Sequence, residues 1–199
     1  VAENTMALMR LITVAWCAAC ATVLAAEPIR IGVSGPFTGG SSPMGISMRD
    51  GIRVAAAEIN AAGGLLGRPV LLVERDDQAR NELGAQIARE LVGKEKIVAG
   101  VGIVNTGVAL ASQRFYQEAR IPMITAVATG SIVTRQFLPP QHPDNFIFRV
   151  SANDTIQAAM IVEEAVERRR FRKVAILADS TNYGQLGRED LEHALEKKG

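Results

Sequence analysis

From residue 29 onward, short β-branched runs alternate with amphipathic helical stretches. The runs are Ile29–Ser34, Val70–Glu74, Ile97–Val101, Ile121–Val127, Phe146–Val150 and Val174–Ala178. Each has the length and composition of a buried strand. Between them lie periodic stretches at 46–62, 81–92, 107–119, 155–168 and 185–198. A strand followed by a helix, repeated, is the pattern of an α/β fold with a doubly wound parallel sheet. Met48, Ile52, Ala55, Ala56 and Ile59 are the expected buried stripe of the first helix. Gly63-Gly64 ends it, because glycine accepts the left-handed conformation of a helix cap. Leu83, Ile87 and Leu91 point inward from the second. The final helix has no strand after it to complete its crossover, so the chain is expected to be part of a longer protein.

The most informative stretch runs from Lys96 to Ser131. Ile97–Val101 is read as a strand, Gly102–Thr106 as a loop, and Gly107–Ala119 as a helix with Val108, Ala111, Phe115 and Ala119 inward. Thr106 suits the N-cap, where its hydroxyl can accept from a free N–H of the first turn. The next strand, with Pro122 near its start, ends at Ala128-Thr129-Gly130-Ser131. In a parallel sheet the carboxyl ends of strands share one edge, and ligands bind in the crevice outside it. Asn105-Thr106 and Ala128-Thr129 should therefore face one cleft. A helix start offers free N–H groups to a carboxylate or phosphate there. Capping alone is the other reading of both threonines.

Composition narrows the function. The net charge of +1 leaves no basic footprint for nucleic acid. The run Arg168-Arg169-Arg170 reads as a solvated helix end. Residues 1–26 have the layout of a cleaved secretory signal peptide, with an apolar core at Leu11–Leu24. An uncleaved anchor, or a lipoprotein signal ending at Cys20, are the alternatives. Both cysteines, Cys17 and Cys20, lie in this segment, so the mature chain has no disulfide framework or thiolate metal site. His142 and His193 lack ligand spacing. A dinucleotide-dependent enzyme would need a Gly-x-Gly-x-x-Gly turn after the first strand. Neither Gly32–Gly35 nor Gly100-Val101-Gly102 supplies it. No nucleophile triad or paired catalytic carboxylates are visible, and Asp76-Asp77 reads as a loop-ordering pair. No enzyme activity, metal or cofactor is expected.

The block GPFTGGSSPMGISMRDGIRVAAAEINAAGGLLGRPVLLVERDD resembles the N-terminal part of periplasmic leucine/isoleucine/valine-type substrate-binding proteins of ABC importers. GVGIVNTG, ITAVATG and DSTNYGQLG follow in that family's order, so the resemblance covers 29–199. It implies the type I periplasmic-binding-protein fold, with two α/β lobes joined by crossing strands. Residues 27–150 would form the N-terminal lobe and 151–199 the beginning of the second, with a hinge near Arg149–Asn153. It also implies a periplasmic protein that captures a branched-chain or related amino acid, or a small carboxylate or amide, for an inner-membrane ABC permease. A ligand sensor on the same fold is the alternative.

The resemblance assigns roles one position at a time. Thr106 matches the Ser or Thr that holds the ligand carboxylate. Val127 matches the residue whose carbonyl accepts from the ligand ammonium. Thr129 matches the threonine that contacts both ends of the amino acid group. Met44 matches a large residue lining the side-chain pocket, and Tyr183 one that closes over the ligand. Asn105 departs from the serine-rich form of its loop, which leaves the ligand class open. The family's acidic partner for the ammonium would lie beyond Gly199.

Overall fold

The computed structural model describes residues 27–198. The expected signal segment, with Cys17 and Cys20, lies outside the described residues. Five strands form one parallel sheet in the order β2-β1-β3-β4-β5. They are β1 (Ile29–Gly35), β2 (Val70–Asp76), β3 (Ala99–Gly102), β4 (Met123–Thr125) and β5 (Ile147–Arg149). The helices are α1 (Ser42–Ala61), α2 (Asn81–Gly93), α3 (Thr106–Glu118), the short α4 (Ile132–Arg135), α5 (Asp154–Val162) and α6 (Asn182–Glu196). None of the described helices is long and apolar enough to cross a membrane.

The chain moves outward from β1 to β2 through α1, then returns past β1 to β3 through α2. Right-handed crossovers in opposite directions place α1 on one face and α2 with α3 on the other. This is the doubly wound arrangement expected from the alternation. The reversal falls between β1 and β3, and it opens a crevice at their carboxyl ends.

The α2–α3 face carries the main core. Leu91, Ala88, Val108 and Ala109 are fully buried, with Ile87, Tyr116 and Met123 nearly so. Glycine makes this closeness possible. A Cβ on Gly84 of α2 would lie 2.4 Å from Cγ1 of Val108 in α3. On Gly100 it would lie 2.6 Å from the Met123 sulfur and 2.9 Å from the Tyr116 ring.

Several local expectations are corrected. Helix α1 starts at Ser42 rather than Ile46, with Pro43 in its first turn. Proline is tolerated there because its missing N–H would have had no helical partner. Of the stripe expected to be buried on α1, only Ala56 is buried, while Ala55 is exposed and Met48, Ile52 and Ile59 are half-buried. That side of α1 borders an open apolar trough of about 700 Å³, shared with Ala126 and Val127. Thr106 is the first residue of α3 and not its cap. Asn105 holds the N-cap position and makes no side-chain capping bond. Helix α3 also buries more than the predicted stripe: Ser112 and Gln113 lie inside, while Ala119 is exposed. The connection from β4 to β5 contains the short helix α4. Helix α5 runs on through a π-helical segment, Glu163–Arg168, and Asn153 caps it by accepting from the Ile156 N–H at 2.9 Å. Val174–Ala178 is not a strand. No described strand pairs with it, and Leu177 is 100% exposed. A strand's polar backbone is satisfied only by a neighbour, so an apolar sequence alone does not form one.

The aspartate pair after β2 orders loops, as expected. Asp76 accepts from the Phe37 N–H (2.8 Å), the Thr38 hydroxyl (2.6 Å) and the Gln78 N–H (3.0 Å). Asp77 is fully buried and accepts from the Ser34 hydroxyl (3.1 Å) and the Ala79 N–H (3.0 Å). Burial raises the Asp77 carboxyl above its ordinary range, against the pull of those two bonds. The folded state then holds a proton that the unfolded state releases. Its contribution is complete below the ordinary aspartate value of about 3.9 and is lost as pH rises through the raised folded value. The stability of Asp77→Asn relative to the unsubstituted protein should therefore climb as pH rises from about 4. Urea denaturation across a pH series measures it, and a pH-independent difference would contradict the buried-acid account.

Candidate functional site

The crevice at the carboxyl ends of β1, β3 and β4 is a cleft of about 490 Å³. Ser41 and Met44 line it after β1, Val104, Asn105 and Thr106 after β3, and Val127 and Thr129 after β4. Asp179, Thr181 and Tyr183 line it from the segment that opens α6. All six residues singled out in the sequence thus meet in one place: Met44, Asn105, Thr106, Val127, Thr129 and Tyr183.

Two loops make the floor. Gly102 has φ of +145°, a conformation left to glycine. Ile103 follows at φ +63°, which is rare for a β-branched residue. The Ile103 N–H donates to the Ser34 carbonyl at 2.8 Å. Its own carbonyl accepts from the N–H groups of Val127 (3.4 Å) and Ala128 (3.3 Å). The strained residue therefore ties the loop after β3 to both neighbours. Ser41 is tied in as well, accepting from the Asn105 amide at 3.3 Å.

Thr106 is 2% exposed, and its hydroxyl has no hydrogen-bond partner. Neither has the side-chain carbonyl of Asn105. A buried unpaired polar group is costly and is rare in a fold without a use for it. Here the two groups sit at the N-cap and the first residue of a thirteen-residue helix. The N–H groups of its first turn have no carbonyl one turn earlier to accept them. Gly130 brings the facing loop close: a Cβ there would lie 2.5 Å from Cγ2 of Thr106. Thr129 is half-buried, and Met44 and Tyr183 are 53% and 51% exposed.

Asp179 is the only charged residue among the described residues lining the cleft. The Thr181 hydroxyl (2.5 Å) and N–H (2.8 Å) donate to it and hold its carboxyl below the usual range, so it is anionic. The cleft thus holds both the unpaired donor of Thr106 and the anionic carboxylate of Asp179. Ser41, Val104, Asp179 and Thr181 were not singled out in the sequence. Asp179 could have been found as the first polar residue after the apolar run Val174–Ala178.

The family described as periplasmic binding protein matches residues 28–199. The chain belongs to this family. Its members are substrate-binding proteins and not a class of enzyme, and membership indicates an extracytoplasmic location. An amino acid binding protein of Pseudomonas aeruginosa is 33% identical over 155 residues, 78% of this chain and 40% of that protein. Leu/Ile/Val-binding protein homolog 3 of Brucella melitensis is 32% identical over 171 residues, 86% of this chain and 45% of that protein. The crystal structure of a leucine binding protein from Thermotoga maritima superposes with a TM-score of 0.75 at 26% identity, over 86% of this chain and 46% of that one. The chain therefore spans less than half the length of these relatives.

Proposed function

We propose that this chain is the ligand-capturing part of a periplasmic binding protein that delivers a branched-chain or related amino acid to an ABC permease. The observation that carries the reading is the buried, unpartnered Thr106 hydroxyl at the open start of α3. It can donate to a carboxylate together with the free N–H groups of that turn. Val127 offers a backbone carbonyl in the same cleft, and anionic Asp179 favours a cation there. A zwitterion can meet both the donor and the anion. Met44 and the trough beside it supply an apolar wall for a side chain. The names of the relatives support the same class.

In this reading residues 27–150 form the N-terminal lobe and 151–199 begin the second. The segment Arg149–Asn153 is the hinge, and residues 1–26 are the cleaved export signal. Tyr183 and Asp179 arrive from the second lobe when it closes. The ligand biases the closed state because only that state offers both sets of contacts.

A thermal-shift screen of the full-length mature protein tests the proposal. L-Leucine, L-isoleucine and L-valine should raise the melting temperature, since a ligand that binds only the folded state stabilises it by mass action. A shift with aromatic acids or amides alone would replace the substrate. No shift with any amino acid, amide or small carboxylate would overturn the reading.

A further inference from the structure

The loop that carries Thr129 is held from behind by the segment that leaves the sheet. At the end of β5, Arg149 Nη1 donates to the carbonyls of Thr129 (3.1 Å) and Gly130 (2.9 Å). Its Nη2 donates to the Thr134 hydroxyl at 3.3 Å. Five residues on, the Asp154 N–H donates to the same Thr129 carbonyl at 3.0 Å. Asp154 is buried, and burial raises its carboxyl above the ordinary range, with the Thr129 hydroxyl offsetting part of that rise. The Thr129 carbonyl is thus gripped by two donors from opposite ends of the segment 149–154. Nothing equivalent holds Thr106, whose place is set by α3.

We propose that Arg149 is a positioning residue for the cleft: its guanidinium fixes the Thr129–Gly130 backbone, so that the crossing segment sets where Thr129 meets the ligand. Arg149 does not line the cleft and acts through Thr129. The guanidinium suits this task because its planar fork reaches two adjacent carbonyls and a hydroxyl at once. Hydrogen bonds from a charged donor are stronger than neutral ones, and a half-buried site shields them from water. Rotation of the chain at Val150–Asn153 would move Arg149 relative to Asp154 and shift the loop between them. Hinge motion and ligand contact are coupled at Thr129. This inference rests on the amino-acid-binding reading for the ligand and on geometry alone for the loop.

The test uses the full-length protein and two readouts. The first is hydrogen–deuterium exchange of the amides of residues 126–134 without ligand. The second is calorimetric titration with L-leucine. Arg149→Met should speed exchange in that segment several-fold, leave exchange in α2 unchanged, and weaken L-leucine binding about ten-fold, the loss of the one bond that Thr129 would make to the ligand. Arg149→Lys keeps a cation that reaches one carbonyl and should restore part of both signals. If Arg149→Met does not fold, Arg149→Lys set against Thr134→Val gives the same comparison, with the lysine variant the more affected. Unchanged exchange overturns the proposal whatever L-leucine does. Faster exchange with unchanged affinity overturns the link to binding. If the unsubstituted protein ignores L-leucine, the substrate reading fails, while the exchange result still decides whether Arg149 holds the loop.

Discussion

Gly102→Ala should destabilise the folded protein by about 3–5 kcal/mol, among the largest effects open to a single substitution. Two causes add. The residue sits at φ +145°, where an L side chain is strained. A Cβ there would also lie 2.2 Å from the Ser34 carbonyl oxygen and 3.1 Å from the Ser34 nitrogen, both backbone atoms of the neighbouring strand. A flexible side chain could swing away, but a strand in the middle of a sheet cannot. Ser34 is paired with Gly102 on one side and with Arg75 on the other. Urea denaturation would measure the loss. A change below about 1 kcal/mol, the ordinary cost of a substitution, would mean that β1 and β3 part more easily than their pairing implies. The cleft should suffer with the fold, because Gly102 starts the loop that ends at Thr106.

Thr106→Val is expected to move stability and binding in opposite directions. Valine keeps the shape and removes the hydroxyl. In the ligand-free protein that hydroxyl is buried and unpaired, so its loss should leave stability unchanged or raise it by about 1 kcal/mol. In the complex it should donate to the ligand carboxylate, where a charge-assisted bond is worth about 1.5–3 kcal/mol. Affinity for the amino acid should fall about ten-fold or more. Denaturation and calorimetry on the same preparation separate the two. Lower stability with intact binding would show that the hydroxyl serves the fold and not the ligand.

The fold was largely legible because burial writes periodicity into sequence. Ile87 and Leu91 point into the core as their spacing predicts. Legibility failed where a partner decides the structure. Val174–Ala178 has a strand's composition but no described neighbour to pair with. The stripe on α1 has a buried helix's spacing, yet it borders an open trough. Gln113 is buried with both amide atoms unpaired, which no polar residue announces in advance. At the cleft, strand-end polarity pointed to Asn105, Thr106 and Thr129, and the family resemblance added Met44, Val127 and Tyr183. Ser41 was hidden because it reaches the cleft only when loops far apart in sequence fold together, whereas the strand-like run before Asp179 carried a signal that went unused. Arg149 was hidden for a different reason: it touches the cleft through another residue's backbone.

The strand order also bears on how the chain reaches its folded state. The first of the described strands, β1, lies inside the sheet, with β2 on one flank and β3 on the other. Ile29 must wait for Val70, and Ile31 for Ala99, before either flank is closed. Helices can form locally within microseconds, but non-local pairing of this kind must first overcome the entropy of closing long loops. Until Ala99 has emerged, β1 offers a bare ladder edge to any other chain it meets. The position of β1 thus makes closure of the sheet wait until both of its flanking strands have been made.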